Sequence, residues 1–190
     1  ISLKILPRLA KEGFFSPLSN GSFFEFHRKL ADLAGLPHGV GLSVAVMAQV
    51  NIAGFVLKKS VDAGDKFSEK ILKEIILGEK VASLGVSEKN WNGRMSGLKS
   101  AIELKYDRYI LNADKSFLTN GFNSDYFLIV VKDISDGMYR VVCVNRDTEG
   151  LELEKFSLPF AIEATHVRLK CKNLEISKSQ ILAFDYKRYA

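Results

Sequence analysis

The first eighty residues carry apolar side chains at the three- and four-residue spacing of amphipathic helices. This spacing runs through three segments, at residues 23–36, 42–57 and 66–80. Gly35, Gly64 and Gly78 fall where these helices would end, because glycine readily adopts the left-handed conformation that often follows a helix. The pattern therefore predicts an all-helical first part of the chain, over residues 1–80.

After Lys80 the pattern changes to short runs of alternating or β-branched residues, such as "DYFLIVVKD", "MYRVVCVNRD" and "THVRLKCKNLEI". Turn-forming segments separate them, among them "YDR", "TNGFNSD", "SDG" and "DTEG". No helical segment in this half is long enough for a parallel crossover. We therefore predict an α+β protein, in which the helices are followed by an antiparallel β-barrel or sandwich over residues 81–182, and residues 183–190 lead out of it.

The composition is that of a globular protein whose charge is dispersed. The chain has 190 residues, of which 47% are hydrophobic, enough to bury a sizeable core. Lys and Arg number 27 against 22 Asp and Glu, but the basic residues lie between acidic ones and form no block. No nucleic-acid-binding motif is present in the sequence, so we expect no nucleic acid as a partner.

Cysteine and histidine predict neither a disulfide framework nor a metal site. Cys143 and Cys171 are too few and too far apart for either. They are typical of buried thiols in a reducing compartment, and a cytoplasmic location is expected. His27, His38 and His166 have no Cys, Asp or Glu at ligand spacing, so we interpret them as core or surface residues.

The longest apolar stretch is shorter than a bilayer span. It covers residues 42–57, 16 residues that include Gln49 and Asn51, whereas a spanning helix needs about 20. We expect a buried helix and no membrane span. The N-terminus also lacks the order of charged, apolar and small residues that a signal peptide shows.

The central part of the chain resembles the acyl-CoA dehydrogenase family. The turn "GEK" is followed by "SEK" where the family has Thr-Glu-Pro, by a loop, by the hairpin strand "ILNADK", and by the strand end "SFLTNG". Order and separations both fit the family. The resemblance extends back through residues 43–72 and forward through residues 150–182, so it covers nearly the whole chain.

The resemblance implies that FAD is the cofactor and that the end of this last strand contacts it. In the family, the aromatic residue stacks near the flavin ring and the Thr hydroxyl hydrogen-bonds the ring nitrogen N5. Phe117 and Thr119 stand at these positions, with Leu118 between them. Taken alone, the six residues are more typical of a turn-opening Thr and a core Phe; the surrounding match favours the flavin contact.

A second contact region follows from the resemblance. Ser87 stands at the family's Thr position and keeps a hydroxyl, and Leu84 and Val86 would line the ring beside it. Glu88 is interpreted as a strand-end residue without a chemical role. Lys89 replaces the family's Pro.

The next loop departs from the family. Asn92, Gly93 and Arg94 stand where the family has Gly, Ser and Asp, and as the substrate-side loop they would meet the thioester end of the substrate. Gly93 lacks the hydroxyl of the family's Ser. Arg94 introduces a cation that could pair with a pyrophosphate or face water.

No catalytic base can be assigned within the chain. In the family this Glu comes from a C-terminal helical domain, which would begin about where the sequence stops. The family's first helix also has no counterpart in the sequence. We therefore expect the chain to represent the N-terminal helical part and the middle β domain of a longer protein, or a reduced homologue.

The resemblance implies FAD-dependent α,β-dehydrogenation of an acyl-CoA thioester, with hydride transfer to flavin N5. Expected partners are an acyl-CoA and an electron-transfer flavoprotein as acceptor, and the full-length protein is expected to be a homo-oligomer. The alternatives are a non-catalytic relative, acting as an acyl-CoA-binding or partner subunit, and a binding or scaffold protein that shares only the fold. Flavin content would distinguish them.

Overall fold

The computed structural model describes residues 4–186, so residues 1–3 and the last four residues of the predicted connection at 183–190 lie outside it. The α-helices are α1 (Leu6–Lys11), α2 (Phe23–Ala34), α3 (Gly39–Met47), α4 (Phe55–Asp62) and α5 (Lys66–Ile76). A π-helix, Ala48–Gly54, joins α3 to α4. Short 3-10 turns occupy Ser16–Leu18, Met95–Gly97, Gly121–Asn123 and Lys178–Gln180.

Capping side chains and glycines set the helix ends, and only the glycines were predicted from the sequence. The hydroxyl of Ser22 accepts a hydrogen bond from the backbone of Glu25 at the start of α2. Asp65 caps α5 in the same way, by accepting from two backbone N–H groups. Gly64 and Gly78, with φ of +90° and +71°, follow α4 and α5. The predicted helices are confirmed, and α1 is an additional one.

The central helix is continuous from Gly39 to Asp62, a length of 24 residues, and its most apolar window has a mean hydropathy of 1.9. By length and composition it could cross a membrane, although 56% of its most apolar window is buried inside the protein, as in the core helix of a soluble protein. Gln49 is buried within it, and its Oε1 accepts from the backbone N–H of Ala82 at 3.2 Å. The absence of a membrane span stays a prediction.

The strands form one mixed sheet. They are β1 (Ala82–Gly85), β2 (Ala101–Lys105), β3 (Arg108–Thr119), β4 (Tyr126–Asp133), β5 (Tyr139–Asn145), β6 (Leu151–Phe156) and β7 (His166–Ile176). The order of hydrogen-bonded neighbours is β1-β4-β2-β3-β7-β6, and β5, which lies outside this order, pairs with β4. The sheet is not closed, so the predicted barrel is only a loose description of it.

The prediction of a purely antiparallel sheet is wrong at β4. Its pairings with β1 and β2 are parallel, whereas the other four pairings are antiparallel. We expected no parallel pair because no helix could make the crossover. The β2–β3 hairpin makes it instead, since it lies between β1 and β4 in the chain.

Two hydrophobic cores lie on the two sides of β4. Leu128 and Val130 face the helices and join one cluster with Phe26, Leu57 and other helical residues. The alternate residues of β4 join a second cluster, formed by strands alone. The helices end at Ile76 and the strands begin at Ala82, close to the predicted boundary at residue 80. The division into two domains stays a prediction, because the first cluster includes both parts.

A buried ion pair connects the end of β1 to β3. Lys115 is fully buried, and its Nζ lies 2.8 Å from Glu88 Oε1 and 3.1 Å from the carbonyl oxygen of Val86. The backbone N–H groups of Lys99 and Ser100 also donate to the Glu88 carboxylate. Burial would raise the pKa of Glu88, but the hydrogen bonds from Lys115 and from Ser100 and Lys99 outweigh it and hold this pKa below its usual value. Burial lowers the pKa of Lys115 despite the carboxylate beside it.

Lys115→Met is expected to lower the free energy of unfolding by about 3 to 5 kcal/mol, because it leaves a buried carboxylate without its cation. Lys105→Met is the matched control, since Lys105 pairs with Glu103 at the surface, and its cost is expected to be about 1 kcal/mol or less. Denaturant unfolding of both variants measures the two values. Equal losses would contradict a structural role for the buried pair.

The stability lost in Lys115→Met should also depend on pH. The pKa of Glu88 lies below its usual value of 4.5 in the folded protein, so the stabilisation from its charge is present above this value and is lost as the pH falls. The difference in unfolding free energy between the wild type and Lys115→Met should therefore shrink as the pH is lowered from 7 towards 3. A difference that stays constant over this range would be inconsistent with a charged pair.

Candidate functional site

A cavity of about 220 Å³ lies where the π-helix faces the ends of β1 and β3. Its lining consists of Ala48, Ile52, Ser83, Leu84, Val86, Ser87, Phe117 and Thr119. Five of the six residues predicted to contact the cofactor are in this set. The structure therefore brings together two segments that are about thirty residues apart in the sequence, at the place where each strand ends.

The residues after β1 form one wall of the cavity. Val86 and Ser87 are partly exposed and continue the line of the strand. The backbone N–H of Ser116 donates to the carbonyl oxygen of Ser87 at 2.8 Å, which holds this segment against β3. The hydroxyl of Ser87 makes no hydrogen bond to any residue within 4–186, so it is available to a ligand.

Strand alternation decides which side chains of β3 reach the cavity. Phe117 and Thr119 point to the cavity, with 40% of Phe117 exposed, whereas Leu118 is fully buried in the second cluster. Gly85 packs on Leu118, where an added Cβ would lie 3.1 Å from Leu118 Cδ2. The side chain of Leu118 is thus the one predicted cofactor contact that does not line the cavity.

The turn after Thr119 is held by buried hydrogen bonds. Asn120 adopts a φ of +67° and its Nδ2 donates to the carbonyl oxygen of Ala45 in α3 at 2.8 Å. The hydroxyl of Ser83 donates to the carbonyl oxygen of Thr119 at 2.7 Å. At Gly121 a Cβ would come within 2.2 Å of Val167 Cγ2, so only glycine fits there. The Asn-Gly pair therefore fixes the backbone that carries Thr119.

The hydroxyl of Thr119 is not used by the protein itself. It makes no hydrogen bond to another residue in the described range 4–186, although its own carbonyl group is bonded. A threonine hydroxyl can both donate and accept. This group, on a fixed backbone beside an aromatic ring, is with the hydroxyl of Ser87 one of two unbonded hydroxyls on a largely apolar cavity wall.

Phe117 belongs to an aromatic cluster that the sequence did not indicate. Its ring centroid lies 4.7 Å from that of His166 and 5.7 Å from that of Phe156. His166 is directly opposite Thr119 in the β3–β7 pairing. Burial lowers the pKa of His166, which favours a neutral imidazole beside Phe117. Because these rings come from three different strands, no local pattern could have found the cluster.

The predicted substrate loop lies outside the cavity. Asn92, Gly93 and Arg94 are exposed and are absent from its lining. They form a compact turn, in which Asn92 Oδ1 accepts from the backbone N–H of Arg94 at 3.0 Å and Trp91 Nε1 donates to the carbonyl oxygen of Arg94 at 2.7 Å. The structure does not bring these three residues to the predicted cofactor contacts.

Three lining residues were missed by the sequence. Ala48 and Ile52 come from the π-helix, and the apolar run at residues 42–57 was the signal that a helix passes here. Ser83 is hidden within the strand pattern. Among residues 4–186 no group of three potential ligands could hold a metal ion. Cys143 and Cys171 are buried thiols, as predicted.

No family model matches the chain, but individual relatives do. Isovaleryl-CoA dehydrogenase of Bos taurus is 28% identical over 133 residues, which is 68% of this chain and 30% of the relative. The 3-sulfinopropanoyl-CoA desulfinase of Cupriavidus necator is 23% identical over 184 residues, 92% of this chain and 47% of the relative. The chain thus spans from about a quarter to about half of the curated relatives it matches.

Solved structures give the same result for the fold. Butyryl-CoA dehydrogenase from Megasphaera elsdenii matches 97% of this chain with a TM-score of 0.81 at 19% identity, and the match covers 51% of that protein. The prolyl acyl carrier protein oxidase AnaB matches 97% of the chain with a TM-score of 0.80 at 24% identity. At these identities the structures show a shared fold. Together with the curated relatives, they confirm that the chain resembles the acyl-CoA dehydrogenase family over its helices and its sheet.

Proposed function

We propose that this chain holds FAD in the cavity between the π-helix and the ends of β1 and β3, as part of an acyl-CoA dehydrogenase-like flavoprotein. The reaction would be α,β-dehydrogenation of an acyl-CoA thioester. The observation that carries the proposal is the unbonded hydroxyl of Thr119 beside the half-exposed ring of Phe117.

The cavity fits part of a flavin. Its walls are mostly apolar, its volume of about 220 Å³ is of the size of a fused ring system, and two unbonded hydroxyls lie on its lining. Leu84, Val86 and Phe117 would pack against the ring, and Thr119 and Ser87 would hydrogen-bond its polar atoms. A bound flavin supplies the hydride acceptor.

The residues of this chain would bind and orient the ring. Thr119 is suited to this task because Ser83 and Asn120 fix its backbone, and a fixed hydroxyl has little conformational freedom to lose on binding. The apolar walls would exclude water from the reacting groups. No carboxylate of residues 4–186 lines the cavity, and Glu88 is bound by Lys115. No residue that lines the cavity is therefore proposed as the base.

Relatives support the cofactor. PigA with FAD and proline is one matching structure, with a TM-score of 0.82 at 19% identity. Another is an acyl-CoA dehydrogenase from Bacillus anthracis complexed with FAD, with a TM-score of 0.80 at 16% identity. An electron-transfer flavoprotein as acceptor, a homo-oligomeric state and a cytoplasmic location stay predictions.

A second candidate is a non-catalytic relative that binds an acyl-CoA or a partner subunit. It is favoured by the turn Asn92-Gly93-Arg94, which departs from the family and does not line the cavity. Such a protein would keep the fold without dehydrogenating an acyl-CoA.

Thr119→Val is expected to weaken FAD binding by about tenfold, because it removes one hydrogen bond worth on the order of 1 to 1.5 kcal/mol while nearly keeping the shape of the side chain. The quenching of flavin fluorescence on titration of the chain measures the dissociation constant. Thr148→Val is the matched control, since Thr148 lies in the turn between β5 and β6 and does not line the cavity. Equal FAD affinities of both variants would show that the Thr119 hydroxyl does not contribute to FAD binding.

The longest form of the protein that cells produce should show bleaching of its visible flavin absorbance when it is titrated anaerobically with acyl-CoAs. This result requires a bound flavin, hydride transfer and a base. A flavin-containing protein that no acyl-CoA bleaches would support the non-catalytic relative. A colourless protein that takes up no FAD would overturn the proposed cofactor site.

A further inference from the structure

We propose that a second site, here called the lysine groove, binds a phosphate-bearing small molecule of about nucleotide size. The groove lies between the start of β2 and the middle of β3 and β7, and its volume is about 450 Å³. Its walls include Lys89, Lys99, Asn112, Asp114, Lys170 and Lys172.

A β-bulge opens the groove. Between the pairs Leu111–Leu174 and Ala113–Cys171, strand β7 has one residue more than β3. The extra residue interrupts the ladder and bends the strand, and such bulges often lie beside functional sites. Asn173, one of the two β7 residues within the bulge, has a φ of +53°. The groove is therefore a feature of the sheet itself and not of a surface loop.

The lysines on its walls are not neutralised by the protein. All four are exposed, and within residues 4–186 none of them forms an ion pair. Neighbouring positions behave differently: Arg168, also on β7, pairs with Glu154 at 2.8 Å. Lys170 has Glu152 opposite it in the sheet, but the two do not approach to ion-pair distance.

The acidic residues of the groove leave a net positive charge. Glu88 is occupied by Lys115 and by two backbone N–H groups. Asp114 is the remaining carboxylate on the lining. Lys170 stands opposite Asp114 in the β3–β7 pairing, so four ammonium groups face one carboxylate and the groove keeps a net positive charge.

A neutral donor adds to the cations. Asn112 Oδ1 accepts from the backbone N–H of Asn173 at 2.9 Å. This bond fixes the orientation of the amide, and its Nδ2 has no acceptor among residues 4–186. The amide can therefore donate to a ligand in the groove.

These features favour a phosphorylated ligand. A single monovalent anion would leave most of the four charges uncompensated, whereas a di- or triphosphate matches several ammonium groups at once. Lysine binds phosphate as a mobile point charge. A volume of about 450 Å³ is in the range of small-molecule sites. The groove shares no lining residue with the cavity that contains Thr119, so it is a separate site from the one proposed for the flavin ring.

Calorimetric titration of the full chain with pyrophosphate and with ATP, at constant ionic strength, tests the proposal. We expect saturable binding of both, much weaker binding of inorganic phosphate, and no displacement by saturating FAD. Lys170→Gln/Lys172→Gln should weaken pyrophosphate binding by about tenfold or more. Tighter binding of ATP than of pyrophosphate would show that the nucleoside also makes contacts.

The control is Lys70→Gln/Lys73→Gln, which removes the same charge from the exposed face of α5. It should change pyrophosphate affinity by less than about twofold, as expected for a screened distant charge. Equal weakening by both double variants would overturn the proposal, because it would reduce the effect to net charge. A linear, non-saturating titration would overturn it too. So would a loss of FAD affinity in the Lys170/Lys172 variant, since the groove would then be part of the flavin site.

Discussion

The burial of β4 on both faces is the constraint on which the rest of the structure depends. Five consecutive residues, Phe127 to Val131, are fully buried. One face needs the helices to cover it and the other needs the opposite half of the sheet. A strand buried on both sides is a continuous apolar run, and "YFLIVV" is such a run. Neither half of the protein can therefore complete its core without β4.

The candidate cofactor site follows from how the helices cover that strand. The central helix crosses the ends of β1 and β3, and Gln49 and Asn120 make the buried hydrogen bonds that join helix to strand. The Gln49 Nε2 and Asn120 Oδ1 atoms have no partner among the described residues. The cavity thus lies beside the contact between the central helix and the strands, which few hydrogen bonds hold together. Its hydroxyl and aromatic groups are positioned by the same elements that close the core.

Much of the fold could be predicted because it follows from local patterns. Helix ends at Gly64 and Gly78, and the strands and their turns, all depend on neighbouring residues. The parallel pairing of β1 with β4 could not be predicted, since a hairpin replaces the expected crossover helix. The buried Lys115 was also missed, because a lysine in a strand normally marks the exposed face.

The site was less predictable than the fold. The resemblance to a family selected two strand ends, and the structure brings them to one cavity. The resemblance did not indicate Ala48 and Ile52, because the π-helix that presents them depends on packing against β1. It also suggested Asn92, Gly93 and Arg94, whose own backbone hydrogen bonds hold them in a separate turn. Nor did it indicate the lysine groove, which arises from a bulge that only strand register reveals.

The insertion of β1 beside β4 has a consequence for how the chain folds. Ala82 pairs with Tyr126, so this contact closes a loop of about forty residues, and the entropy of such closure slows folding relative to local contacts. The β2–β3 hairpin and the β4–β5 hairpin join residues that are close in the chain. Both can form before β1 pairs with β4. The strand that carries Leu84 and leads to Ser87 would accordingly reach its place late, and the cofactor cavity would be among the last parts of the molecule to be completed.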